Sequence, residues 1–311
     1  LMGLPLAFVA LPLYVVLPHY YASEFGVPLA SLGFLLLTVR AADAVADPLI
    51  GLGVDRLLGQ PWRTRMLAAV LAAAVLALAF QALFFPAVRS QSALLAWCGA
   101  ALAVCYVAYS GLSVLHQAWG ARLGGDASQR ARIVSWREGA ALVGVIVASV
   151  LPGTLGVQAA SLALAAALTA GLLGWAAAPP PPRAHSITPP SHPWAPWLEP
   201  RFRRLLGIYL LNGVASALPA TLVLFFIRDR LQWPEGEPLL LGLYFAAAAL
   251  SLPIWVRVVA RIGLAQGWAL GMALSILAFV GAVALGAGDG LWFAAVCVAS
   301  GAALGADLCV P

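Results

Sequence analysis

Apolar runs rich in Ala, Leu, Val and Gly recur along the whole chain, separated by short breaks that carry proline, arginine or other polar residues. At roughly 20 apolar residues per crossing there are about ten such runs. They lie near 4–22, 29–53, 64–86, 92–122, 133–157, 159–177, 204–227, 238–259, 265–287 and 290–309. Strand-type alternation is absent, and in hydrocarbon a backbone must satisfy its own polar groups, so runs of this kind predict helices. The expected class is an all-α membrane protein. Mean hydropathy of +0.95, with 63% hydrophobic and 9% charged residues, excludes an ordinary soluble domain. The first run has no basic n-region and is punctuated by Pro5, Pro12 and Pro18, so it does not read as a cleavable signal. The opening Leu1 and the closing "DLCVP" read as the ends of a fragment.

The clearest break is "AAAPPPPRAHSITPPSHPWAPWLEPRFRR", where four successive prolines cannot continue a helix. It divides the chain into an N-terminal bundle over 1–178, a cytoplasmic proline-rich linker over 179–203 and a C-terminal bundle over 204–311. Six crossings precede the linker and four follow it. The expected whole is two six-helix bundles, with the last two helices missing here. "PLIGLGVDRLLG" from Pro48 aligns with "PIWVRVVARIG" from Pro253, so that Arg56 meets Arg261. Parallel repeats of this kind relate the halves of major facilitator transporters. In the same alignment Asp43 meets Ala248, Asp47 meets Leu252 and Asp55 meets Ala260. The acids therefore belong to the first half and are not needed to build the helix.

All 17 basic residues are arginine. Arg56, Arg63, Arg65, Arg122, Arg130, Arg132, Arg183, Arg201, Arg203, Arg204, Arg257 and Arg261 fall at alternate loops, against Arg89, Arg228 and Arg230 at the others. This bias predicts a multi-pass inner-membrane protein with a cytoplasmic N-terminus. The net charge of +5 then reflects topology and not nucleic-acid binding. Cys98, Cys105, Cys297 and Cys309 sit in apolar runs without metal-ligand spacing and read as small packing residues. No nucleophile–base pair, HExxH or phosphate loop is present, so an enzyme is not expected, nor a cofactor beyond a coupling ion.

Within "TVRAADAVADPLIGLGVDR", Arg40, Asp43 and Asp47 are spaced by three and four and share one helix face. A charge at mid-membrane costs about 2.5–3.5 kcal/mol on insertion scales, so such groups face a bundle interior or a wet cavity. Two carboxylates one turn apart cannot both ionise cheaply there. Either they share a proton or a cation, which is the chemistry of ion coupling, or an Arg40–Asp ion pair pins helices and one acid is idle. Further along, Gly51, Asp55 and Arg56 in "GLGVDR" resemble the G-x-x-x-D-R signature between spans two and three of the major facilitator superfamily; the resemblance implies close helix approach at Gly51 and charge contacts of Asp55 and Arg56 at a cytoplasmic gate that hold one state of a transport cycle. The same residues also suit an ordinary helix end. His116 and Trp119 share a face, and His116 reads equally as a proton-responsive or solute-binding group and as a packing histidine. Arg137, beside Glu138, suits a clamp on an anionic or polyol solute, or an ion pair. In the seventh run Tyr209, Asn212 and Ser216, with Pro219, can line a cavity or glue helices. Asp307 is a further acid inside a run, expected to pair with an arginine, and Gly301 and Gly305 before it have packing spacing.

"VRAADAVADPLIG" resembles the R-x-x-D-A-x-x-D-P-x-x-G signature of the glycoside–pentoside–hexuronide:cation symporters, the melibiose-permease-like family within the major facilitator superfamily. "RARIVSWREG" resembles that family's E-R-x-R-x-x-S-Y-R segment, and "LHQAWGARL" matches its N-I-P-Y-x-A-L stretch loosely. The resemblance covers most of the N-terminal half. It implies symport of a sugar or related small metabolite with sodium, lithium or a proton. It implies cation binding by Asp43 and Asp47 with Ser113 as oxygen donor, and it places His116 and Arg137 at the solute site; Tyr14, Trp119 and Asn212 are further candidates for solute binding. Ala46 stands where the family can carry an amide, which removes an oxygen ligand and favours a proton over sodium. An apolar residue near Ala7 replaces the family's galactoside-recognising acid. The expected partners are a small-molecule solute and the bilayer, and the expected state is a monomer. The alternatives of the same fold are an exporter of drugs or metabolites and a carrier of lysolipid-like amphiphiles.

Overall fold

A computed structural model describes residues 1–123, 127–178 and 195–309. Most of the expected linker, and the side chain of Tyr14, lie outside the described residues. All regular elements among those residues are helical. The chain divides into two compact units, Leu1–Gly125 with Trp136–Ile187, and Asp126–Ser135 with Thr188–Pro311.

The first unit opens with α1 (Gly3–Leu11), a π turn over Pro12–Val16 and α2 (Leu17–Phe25). The π turn starts at Pro12, which lacks the N–H that a regular ladder needs at that point. Gly26 ends α2 in the left-handed region, with φ 64°. Then follow α3 (Leu29–Leu58), α4 (Trp62–Phe84), α5 (Gln91–Ala121) and, from Trp136 onward, α6 (Ala127–Ala176). α6 is two crossings in one: Gly156, with φ 82° and ψ 169°, breaks it close to the boundary expected near 158. A side chain at Gly3 would strike the carbonyl of Arg137, and one at Gly144 the carbonyl of Leu4, so α1 and α6 cross at backbone contact.

Faces are set by helical period. On α4, Ala69, Ala73, Leu76, Phe80 and Leu83 are buried, whereas Leu67, Leu71 and Leu78 are exposed. The exposed stripe is as apolar as the core, which suits a surface bathed by lipid rather than water. The core of this unit packs the inner face of α4 against Leu94, Cys98, Leu102 and Cys105 of α5. At its far end the Tyr21 hydroxyl donates to the Leu83 carbonyl at 2.7 Å.

The second unit holds α7 (Ala195–Leu198), α8 (Pro200–Phe225), a π turn over Phe226–Arg230, α9 (Glu237–Ile262), α10 (Leu264–Val283) and α11 (Gly290–Asp307). Its centre is the seam between α9 and α11. Side chains at Gly301 and Gly305 would collide with the Tyr244 carbonyl and the Ser251 hydroxyl. The Trp255 indole N–H donates to the Ala302 carbonyl at 2.6 Å across the same seam. All four cysteines are reduced and buried.

Seven helices among the described residues are long and apolar enough to cross a membrane: α3, α4, α5, α6, α9, α10 and α11. The sequence count of about ten differs because the first crossing is divided at Pro12–Val16 and two crossings run together as α6, while α8 falls outside the seven.

Candidate cation and solute sites

Arg40, Asp43 and Asp47 lie within an arc of about 60° on α3. Phe34, Val45 and Leu49, all strongly exposed, occupy the opposite face. The polar stripe therefore turns away from the lipid-type surface of its own helix. Asp43 is buried at 8% exposure, whereas Asp47, one turn on, is exposed. The Arg40 guanidinium donates to Asp43 Oδ2 at 3.2 Å and lies 5.5 Å from the ring centre of Tyr106 on α5. Ser110, also buried and also on α5, faces the Asp43 carboxyl, and Asp47 is within electrostatic reach of it. The other carboxyl oxygen, Oδ1, is buried without a hydrogen-bond partner. An unpartnered buried acceptor costs about 1–3 kcal/mol, and more when charged. A proton or a small cation shared with Asp47 would remove that cost.

Ser113 Oγ accepts from Gln117 Nε2 at 2.9 Å. The hydroxyl that faces Asp43 belongs to Ser110, one turn earlier on the same helix. Sequence reasoning passed over Ser110 and Tyr106. Their only signal is helical spacing, since Tyr106, Ser110 and Ser113 follow at four and three on α5.

Asp55 and Arg56 are exposed at the end of α3. The close approach expected at Gly51 is not found: a side chain there would meet open space. The residues that do bring backbones together in this unit are Gly3 and Gly144, because they stand at a helix crossing and Gly51 does not.

His116 and Trp119 stack at 6.0 Å between ring centres, and both meet Trp175 of α6, at 5.1 Å and 5.7 Å. Trp62 of α4 closes the group, 6.4 Å from Trp175, with the Arg65 guanidinium 5.6 Å from the Trp62 ring. Trp175, Trp62 and Arg65 were not candidates from sequence, because a lone tryptophan at the end of an apolar run looks like an interface anchor. Arg137 pairs with Glu138, Nη2 to Oε1 at 2.6 Å, both half-buried. Of the two readings open for Arg137, a solute clamp and an ion pair, this contact is the second. Asn212 is half-buried on α8.

Among the described residues Asp307 forms no ion pair with an arginine. Its Oδ1 accepts from the Trp268 indole N–H at 2.6 Å, and Tyr209 lies tilted against Trp268 at 5.1 Å. Trp268 is near the start of α10, facing the end of α11, and an indole N–H satisfies a carboxylate without burying a second charge.

No metal-type cluster of His, Cys, Asp and Glu occurs among the described residues. No match was found among curated proteins. The chain does match the family profile described as "MFS/sugar transport protein", over residues 1–177 and 198–310, which takes in both units, the acid pair and the aromatic cluster. On that match this multi-pass helical membrane protein belongs to the MFS/sugar transport family of the major facilitator superfamily and is a membrane transporter.

Proposed function

We propose that the protein symports a small solute, a sugar or related metabolite, with a proton or sodium, in the manner of the glycoside–pentoside–hexuronide:cation symporters. The observation that carries this reading is the buried, half-satisfied carboxyl of Asp43 with exposed Asp47 one turn away. Such a pair is costly empty and neutral when loaded. A loaded pair lets the bundles rock about a central site, and an unloaded pair holds them, which couples solute to ion. In this reading Ser110 joins Asp43 and Asp47 at the ion, Arg40 tunes the pair, and Asp55 and Arg56 act at the gate. The protein works as a monomer in the inner membrane with its N-terminus cytoplasmic, as bundles over 1–178 and 204–311 joined by the 179–203 linker.

The test is thermal stability of the purified full-length protein against sodium, lithium and pH, for wild type, Asp43→Asn and Asp47→Asn. A ligand of the folded state must raise Tm by mass action. We expect a sodium- or pH-dependent rise that both variants lose. If wild type ignores both ions and the variants match it, the acids are structural and the uncoupled exporter reading replaces this one.

A further inference from the structure

Six buried side-chain polar atoms among the described residues have no hydrogen-bond partner, and four of them lie in one cluster. They are Arg65 Nε, His116 Nδ1, Trp119 Nε1 and Trp175 Nε1. The rings that carry three of them are mutually in contact, and Arg65 joins through Trp62. Trp175 is only 5% exposed, so its N–H has no recourse to bulk solvent. Both indole nitrogens and the guanidinium nitrogen are obligatory donors. Native structures pair such groups, and orphans of this kind point to a missing acceptor.

The side-chain charges that act on Arg65 and His116 are positive. Arg122 stands close enough to Arg65 to repel it, and its Nη1 donates to the Leu58 carbonyl at 3.3 Å. Arg137 acts on His116 in the same sense, while its own partner Glu138 is the adjacent residue. Among the described residues no carboxylate forms an ion pair with Arg65 or Arg122. The α4 helix starts at Trp62 with no side-chain cap, so the positive end of its dipole opens onto the group. A water could take two of the donors, yet it would leave the Arg65–Arg122 repulsion standing. An acceptor-only anion relieves both.

We infer that Arg65, His116, Trp119 and Trp175 form a binding site for an oxyanion of the phosphate type, at the end of the first unit where α4 begins and α5 ends. The site goes beyond the acid pair: Trp119 is nine residues past Ser110 on α5, about 13 Å along the axis. Two sources offer that chemistry, a soluble phosphate-bearing solute and the headgroup of an anionic lipid. A ring of tryptophans and arginines at a helix end suits either.

The experiment uses the purified full-length protein and reads Tm together with tryptophan emission. One arm titrates inorganic phosphate in neutral detergent against chloride at matched ionic strength. The other compares nanodiscs of phosphatidylcholine with and without phosphatidylglycerol. The expected result is a rise in Tm and an emission shift in at least one arm, both lost in Arg65→Gln and in Trp119→Phe, which keeps a ring and removes the N–H. Trp292→Phe, on an exposed face, keeps the response, and so does Asp43→Asn. A response to phosphate assigns a soluble anion, and a response to phosphatidylglycerol alone assigns a headgroup. No response in either arm overturns the site, as does a response that survives in both variants. Should Arg65→Gln fail to fold, Trp175→Phe replaces it.

Discussion

At the residue scale, intramembrane acids divide by what their neighbours donate. Asp43 takes one cation from its own helix, faces the Ser110 hydroxyl of α5, and among the described residues keeps Oδ1 without a hydrogen-bond partner. Asp307 takes an indole N–H from another helix, at 2.6 Å. The first arrangement suits a group that must change partners, the second a group that holds two helices together. Trp268→Phe should therefore lower Tm in detergent, by the equivalent of about 2 kcal/mol for a hydrogen bond to a charged group. Asp307→Asn should cost less, since its amide oxygen still accepts. An unchanged Tm in Trp268→Phe would remove the structural role of that bond. The same contrast explains why Ser110 was invisible in the sequence and Asp43 was not: a serine in an apolar run is unremarkable, whereas an acid there is expensive.

At the scale of elements, glycine matters where helices cross. Gly301 and Gly305 let α11 lie against α9, and Ala248, which aligns with Asp43 in the internal repeat, is fully buried in that seam beside Gly305. One repeat position thus carries close packing in one unit and an acid in the other. Gly305→Leu should destabilise by about 1–3 kcal/mol through overpacking. Gly281→Ala, on α10 with open space around it, should be neutral or stabilising by up to about 1 kcal/mol through helix propensity. Unfolding of both variants in one detergent checks the pair, and equal effects would discredit the seam. Gly51 shows the limit of motif reading: its glycine matched a pattern of close approach, and the space beside it is open.

At the scale of the whole molecule, the arginine bias among short loops makes a topological prediction. A reporter active only outside the cytoplasm, fused in the 86–90 loop, should be active, and the same reporter in the 59–61 loop should be silent. The opposite pattern would invert the proposed orientation and, with it, the side from which the Arg65 cluster is reached.

Much of this protein is legible in its chain because the bilayer imposes rules that depend on composition alone. Apolar length sets the helices, proline and glycine set their breaks at Pro12 and Gly156, and the cost of a buried charge singles out Arg40, Asp43 and Asp47. None of these needs a partner to be recognised. Pairing is different, because it depends on which faces meet. That Ser110 faces Asp43, that Asp307 finds Trp268, and that Trp175 reaches back to His116 and Trp119 follow from helix contacts between residues up to 67 positions apart. Where a helix is apolar on every side, as α4 is from Met66 to Phe80, the sequence marks no inner face, and only packing selects one.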